Sequence, residues 1–241
     1  MRHLPDTLRN RAMVVPSLAV LFSLAVGTAA VADDAPADDF RPLFNGQDLT
    51  GWRGKGDQPG KGWQVEDGQL VRTERAGDIY TQEAFGDFVL ELEFITRGNS
   101  GLLFRKPDPS NTLKDRLEIQ IMPPRSGKKP SKGSCGALYD CVAPSKEMCK
   151  EDDWNHLRLT SANCRVEVVL NGEKIIDVDL TDWTESGRSP DGKPNKFIRP
   201  LRQINSQRGH IGFQDHGAEV RYRNIRIRPL DDGPVEAPKA E

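Results

Sequence analysis

Apolar and polar positions alternate along much of the chain. Phe88, Leu90, Leu92 and Phe94 fall on one side of an extended segment, and Glu91 and Glu93 fall on the other. Arg116–Met122 repeats the pattern, with Leu117, Ile119 and Ile121 opposite Glu118, Gln120 and Met122. A period of two is the signature of a half-buried strand. Further strands are predicted over Ser100–Arg105, Asn155–Ser161, Arg165–Leu170, Glu173–Val178, His210–Phe213 and Val220–Arg228. Asp67-Gly68 sits at the centre of Trp63–Arg72, and Asn171-Gly172 separates two of the strands. Both dipeptides are two-residue hairpin signals. No long helical pattern and no internal repeat is visible. Short strands joined by tight turns predict an all-β sandwich of two antiparallel sheets. Thr184–Gln207 is long, polar and broken by Pro and Gly. A loop of that length is often functional or lies over a binding face.

The ends read differently. Arg2, Arg9 and Arg11 precede the apolar run Ala12–Val26, and Ala30-Val31-Ala32 follows. This is the layout of a signal peptide over residues 1–32, implying a secreted or periplasmic protein. An uncleaved anchor is the alternative, but the run is shorter than the roughly 20 residues that span a bilayer. Residues 33–39 read as a flexible leader, 40–230 as one β domain, and 231–241 as a disordered tail. No later segment is apolar enough to predict a membrane span.

The chain carries 34 basic and 36 acidic residues. Without Arg2, Arg9, Arg11 and Asp6 of the leader these become 31 and 35, a net charge of −4. That balance offers no electrostatic footprint for nucleic acid. Cys135, Cys141, Cys149 and Cys164 all lie in the domain. Export makes one or two structural bridges around residues 135–164 the expectation, with free buried thiols as the alternative. The sequence does not choose among the three pairings.

Chemistry gathers in a few places. Arg116, Glu118 and Gln120 put donors and acceptors on one strand face, which suits sugar hydroxyls, although such a row is often only solvated surface. Asn99-Ser100-Gly101 and Arg105 form another polar set. Gln214-Asp215-His216-Gly217 stands immediately before a strand, where an imidazole beside an acid could move protons. His156 and His210 read as strand residues. Trp52, Trp63 and Trp154 read as packing, and Trp183, at the edge of the long loop, as the best aromatic ligand contact.

Several stretches, in order, carry a resemblance. They include Leu43-Phe44-Asn45-Gly46, Gly98-Asn99-Ser100-Gly101-Leu102-Leu103-Phe104-Arg105, Leu117-Glu118-Ile119-Gln120, Gly136-Ala137-Leu138-Tyr139 and Gly212-Phe213-Gln214-Asp215-His216-Gly217. Together they resemble the 3-keto-disaccharide hydrolase domain family over about residues 40–230. The resemblance implies a concanavalin A-like jelly-roll sandwich and action on 3-keto-glycosides. The four cysteines depart from the family pattern.

The implied chemistry is intelligible. Ordinary glycosidases place two carboxylates across the scissile bond. The row Glu118, Gln120, Met122 offers one. A ketone at C3 acidifies the C2 proton, so a base can remove it and the C1 oxygen can leave by elimination. Re-addition of water makes the net reaction hydrolysis; without it the enzyme is a lyase. Residue chemistry and motif position assign acid or base work to Glu118 and His216, with Asp215 orienting the imidazole. Arg105 is assigned to the enolate, and Asn99, Gln120, Tyr139 and Gln214 to hydroxyls. No cofactor is required, though Asp215, Glu118 and Asn99 could instead hold Ca²⁺. A non-catalytic, lectin-like carbohydrate-binding module and an envelope protein-interaction domain are the competing functions.

Overall fold

The computed structural model describes residues 39–54, 59, 61–111, 115–125 and 127–230. The segments expected to be signal peptide, leader and tail lie outside these, apart from Asp39. Among the described residues no helix is long and apolar enough to cross a membrane.

The described chain folds into two antiparallel sheets. The larger contains β1 (Arg41–Pro42), β3 (Trp63–Glu66), β4 (Gln69–Arg72), β6 (Phe88–Thr96), β9 (Asn155–Ala162), β10 (Arg165–Leu170), β11 (Glu173–Asp179) and β13 (Val220–Pro229). Its order is β11-β10-β9-β6-β13-β4-β3, with β1 also paired to β13. The smaller contains β2 (Trp52–Arg53), β5 (Ile79–Phe85), β7 (Ser100–Lys106), β8 (Leu117–Ile121) and β12 (Gly209–Phe213), in the order β2-β5-β12-β7-β8. One short helix, α1 (Leu201–Asn205), ends the long loop. This is the antiparallel two-sheet sandwich that the alternation predicts, in the concanavalin A-like jelly-roll form that the resemblance implies.

The inward positions of both sheets meet in one core. Phe213 of the small sheet stacks on Tyr222 of the large one at 3.9 Å between ring centroids, and Trp52 stacks on Phe213 at 5.5 Å. Phe88 and Phe104 meet edge to face across the same gap. Aromatic pairs of this kind add about 0.5–1.5 kcal/mol beyond the area they bury. Trp63 is buried too, and its indole N–H donates to the Gly77 carbonyl at 2.7 Å. Trp183 is 7% exposed and packs in this core, so the expectation of a ligand contact there is corrected. The Asp67-Gly68 turn has φ of 49° and 74°, the left-handed pair that a tight hairpin demands.

The cysteines depart from expectation as well. All four are free thiols, so the predicted bridges are not formed. The hydrogen bond to the Cys149 thiol, followed by burial, pushes the Cys135 thiol well above its ordinary range. Burial also pushes Cys141 up to about 12. These are protonated packing residues, since the thiolate is the reactive form.

Candidate active site

The site is built on β8, the edge strand of the small sheet. Leu117, Ile119 and Ile121 point into the core, which turns Glu118 and Gln120 to the outer face. An outer face is ordinarily wet. Here Glu118 is only 4% exposed and Gln120 3%. Lys196 and Asn99 meet these two side chains, and one wall is the segment Gly136–Tyr139, which runs along β8 like a further strand. The Gln120 N–H donates to the Ala137 carbonyl at 3.0 Å, and the Tyr139 N–H donates to the Glu118 carbonyl at 2.9 Å. A bridge between Ile119 and Leu138 completes the pairing.

Two glycines keep the floor low. Gly101 of β7 lies opposite Gln120, and a Cβ there would stand 2.8 Å from Glu118 Oε1. Gly212 of β12 lies opposite Tyr80, where a Cβ would stand 2.4 Å from the Tyr80 ring. Bare backbone at 101 gives the carboxylate room to lie over the sheet.

The second wall comes from the long loop. The Lys196 N–H donates to Asp140 Oδ2 at 2.7 Å, tying the loop to the segment that covers β8. The Lys196 ammonium then sits 3.8 Å from the Tyr139 ring centroid and 3.3 Å from Glu118 Oε2. Burial lowers the Lys196 pKa, and the Arg116 charge adds to that, while Glu118 opposes both. Arg116 lies 3.5 Å from Asp78 Oδ2, which also accepts from the Tyr80 hydroxyl at 3.1 Å. Burial raises the Tyr80 phenol pKa well above its ordinary value.

The amides close the remaining side. Gln120 Nε2 donates to Asn99 Oδ1 and to the Ser100 carbonyl. The Gln214 N–H donates to the Gly101 carbonyl at 2.9 Å. Its side-chain Oε1 is buried without a hydrogen-bond partner. Such an acceptor costs about 1–3 kcal/mol unless a donor reaches it, and a sugar hydroxyl is a donor of the right kind. His216 is exposed and stands at the mouth.

Asn99, Glu118, Gln120, Tyr139, Gln214 and His216 therefore line one hollow of about 300 Å³, together with Arg116 and Lys196. Two expected members do not line it. By alternation Arg105 would face outward beside Leu103. A bulge intervenes, because two steps on β12 (His210 to Gly212) match three on β7 (Lys106 to Leu103). Arg105 adopts φ 59° and its side chain is only 1% exposed, between the sheets. There it donates to Ser161 Oγ and the Ser161 carbonyl of β9 and to Asp87. It fastens one sheet to the other and is not placed to meet an enolate.

Asp215 is the second correction. Its Oδ1 lies 2.7 Å from Arg72 Nε, and both side chains are almost fully buried. Its Oδ2 accepts from the Ala76 and Gly77 N–H groups at 2.7 and 2.8 Å, and Oδ1 accepts from the Gly217 N–H at 3.1 Å. Burial pushes this carboxyl up, but the three N–H donors and Arg72 outweigh it and the net shift is downward. The carboxylate is committed to holding the 214–217 turn rather than to charging the imidazole. Asn99 and Glu118 are then left without the third ligand of the Ca²⁺ reading, and the described residues contain no group of three or more His, Cys, Asp and Glu suited to a metal.

Lys196 is the member that sequence reasoning missed. The loop was legible as a cover over a binding face. Which of its basic residues turns inward was not, because that is set by Asp140 and Tyr139, more than fifty residues upstream.

Known proteins share this architecture. A provisionally named glycosyl hydrolase of Parabacteroides distasonis superposes with a TM-score of 0.70 at 29% identity, covering 79% of this chain and 99% of that one. A second from the same organism gives 0.66 at 28%, covering 80% and 94%. The 3-keto-disaccharide hydrolase of Bacteroides thetaiotaomicron is 25% identical over 231 residues, spanning 81% of this chain and 80% of its own length. The family described as the 3-keto-alpha-glucoside-1,2-lyase-like domain matches residues 39–228, nearly the whole sandwich. The chain belongs to that family.

Proposed function

We propose that this protein is an exported enzyme that cleaves the glycosidic bond of 3-keto-glycosides, 3-keto-disaccharides among them, by proton abstraction at C2 and elimination at C1. The observation that carries this reading is the carboxylate count. Among the described residues Glu118 is the one carboxylate lining the hollow, whereas hydrolysis of an ordinary glycoside commonly uses a pair. A single buried base suffices once a ketone has acidified the neighbouring proton. The family description and the name of the B. thetaiotaomicron relative support the substrate class. The N-terminal pattern of Arg2, Arg9 and Arg11, an apolar run and Ala30-Val31-Ala32 supports export.

In this mechanism Glu118 removes the C2 proton, and the electron pair moves onto the C3 oxygen as an enolate. The enolate collapses to restore the C3 ketone, forms the C1–C2 double bond and breaks the bond from C1 to the leaving oxygen. His216, at the mouth, supplies the proton that the leaving alcohol needs. Gln214, Asn99 and Gln120 hold hydroxyls. Release of the enone at this stage is lyase chemistry. Addition of water at C1, with the proton returned to C2, completes hydrolysis, so the "lyase" of the family description and the "hydrolase" of the relative differ by one step.

The test is to incubate the purified domain with a nitrophenyl 3-ketoglucoside in D₂O, following nitrophenol release and deuterium at C2 by NMR. Turnover on the keto sugar, with none on the parent glucoside, is expected. Saturable binding without exchange or release would instead identify a lectin-like module.

A further inference from the structure

Lys196 occupies an unusual electrostatic position. Three other charged groups shape it. Glu118 lies 3.3 Å away, Asp140 holds its backbone N–H, and Arg116 of the chain entering β8 lowers its pKa. Tyr139 covers it from one side at 3.8 Å. Cys141, on the same covering segment, is a neutral buried thiol. The ammonium is thus held beside the base, over a ring, inside the hollow, by a loop whose next residue, Phe197, is buried in the core.

From this geometry, and resting on the reading that the hollow processes a 3-keto sugar, we infer that Lys196 is a catalytic residue: it stays protonated and stabilises the negative charge of the enolate oxygen at C3, a role that Arg105, committed between the sheets, does not fill, while Arg116, the other cation of the hollow, is paired with Asp78. The charge accounting is simple. Before reaction the hollow holds the Lys196 ammonium, the Arg116 guanidinium, the Glu118 carboxylate and a neutral ketone. After abstraction it holds the same two cations, a neutral Glu118 carboxyl and an enolate. One negative charge has moved from Glu118 to the C3 oxygen, and the same cation faces it in both states. No net charge enters or leaves the hollow, so little reorganisation accompanies the step. The salt bridge and the ring both favour the ammonium form, which argues against the neutral amine that attack on the ketone would require.

The experiment compares wild type with Lys196→Met and Lys196→Arg on the nitrophenyl 3-ketoglucoside, measuring kcat and C2 exchange from pH 6 to pH 10. Lys196→Met is expected to lose roughly 10²–10³-fold in kcat, the effect of removing one donor from a developing oxyanion. Lys196→Arg should keep much of the activity and move the alkaline fall of the rate to higher pH, because burial makes Lys196 deprotonate earlier than an ordinary lysine. A purely supporting role, in which Lys196 only keeps Glu118 ionised, predicts that Lys196→Met recovers as pH rises; such recovery would overturn the inference. So would a Lys196→Met rate within a few-fold of wild type, or a borohydride-trapped sugar adduct on Lys196, which would mean an iminium. Wild type that neither exchanges nor releases would sink the functional reading itself, a distinct result.

Discussion

The outer faces of the two sheets are both polar, yet they are built on opposite plans. On the large sheet, charges sit directly across from one another. Glu91 is in register with Arg158 on β9 and with Arg226 on β13, and Glu93 with Arg223. The side chains follow: Arg226 and Arg158 approach Glu91 at 2.6 and 3.2 Å, and Arg223 pairs with Glu93 while lying over Trp154. A hollow of about 490 Å³ also lies there, lined in part by Glu91, Glu93 and His156, and it is larger than the one on β8. Its carboxylates already have partners supplied by strand register. On the small sheet the partner of Glu118 comes from a loop 78 residues away, and an amide oxygen beside it is buried without any. Polarity alone marks neither face as functional. What separates them is whether the sheet satisfies its own charges or leaves them to be met from outside.

That contrast can be broken experimentally. The largest effect belongs to Glu118→Gln, which removes the proposed base and nearly conserves shape. It should lower kcat by about 10²–10⁴-fold and abolish deuterium uptake at C2, with the melting temperature little changed. Asp215→Ala should come next, and in stability rather than chemistry. It strands the nearly buried Arg72, at a cost of about 3–5 kcal/mol, read by urea unfolding. The acid dependence sharpens this. The folded pKa of Asp215 is depressed, so its stabilisation is present above the unfolded value near 3.8 and is lost as pH falls through the lower folded value. Wild type should therefore lose that stability only on the acid side, and Asp215→Ala should lack that part of the slope. The smallest effect is expected of Glu93→Gln. Its pair with Arg223 is partly exposed, so about 1 kcal/mol or less is at stake, and turnover should not change. A Glu93→Gln variant as crippled as Glu118→Gln would refute the distinction between the faces.

Much of this was legible beforehand, for definable reasons. β6 and β8 alternate cleanly, so their core and outer faces could be read directly, and six of the eight residues proposed for the site do meet on one face. β5 escaped because Ile79, Tyr80 and Thr81 are buried in succession, Tyr80 being covered on the outer face against Gly212. No alternation survives such two-sided burial. Arg105 was misplaced because a single extra residue in β7 inverts the side on which it emerges. Asp215 was misread because adjacency to His216 says nothing about direction, and its actual partners are Arg72, Ala76 and Gly77. Lys196 needed tertiary knowledge outright.

The strip Gly136–Tyr139 has one more consequence. An unpaired border strand is an invitation for another molecule to dock its own backbone and begin a chain of misassembly. Without its cover β8 would present such a border; with it, the amides at 120 and 139 are already taken. The segment that brings Tyr139 to the hollow thus also keeps neighbouring copies from stitching on. Loop shuffling here to alter substrate preference should be screened first for precipitation, because a replacement that fails to zip along the strand would forfeit solubility before any change in selectivity could be seen.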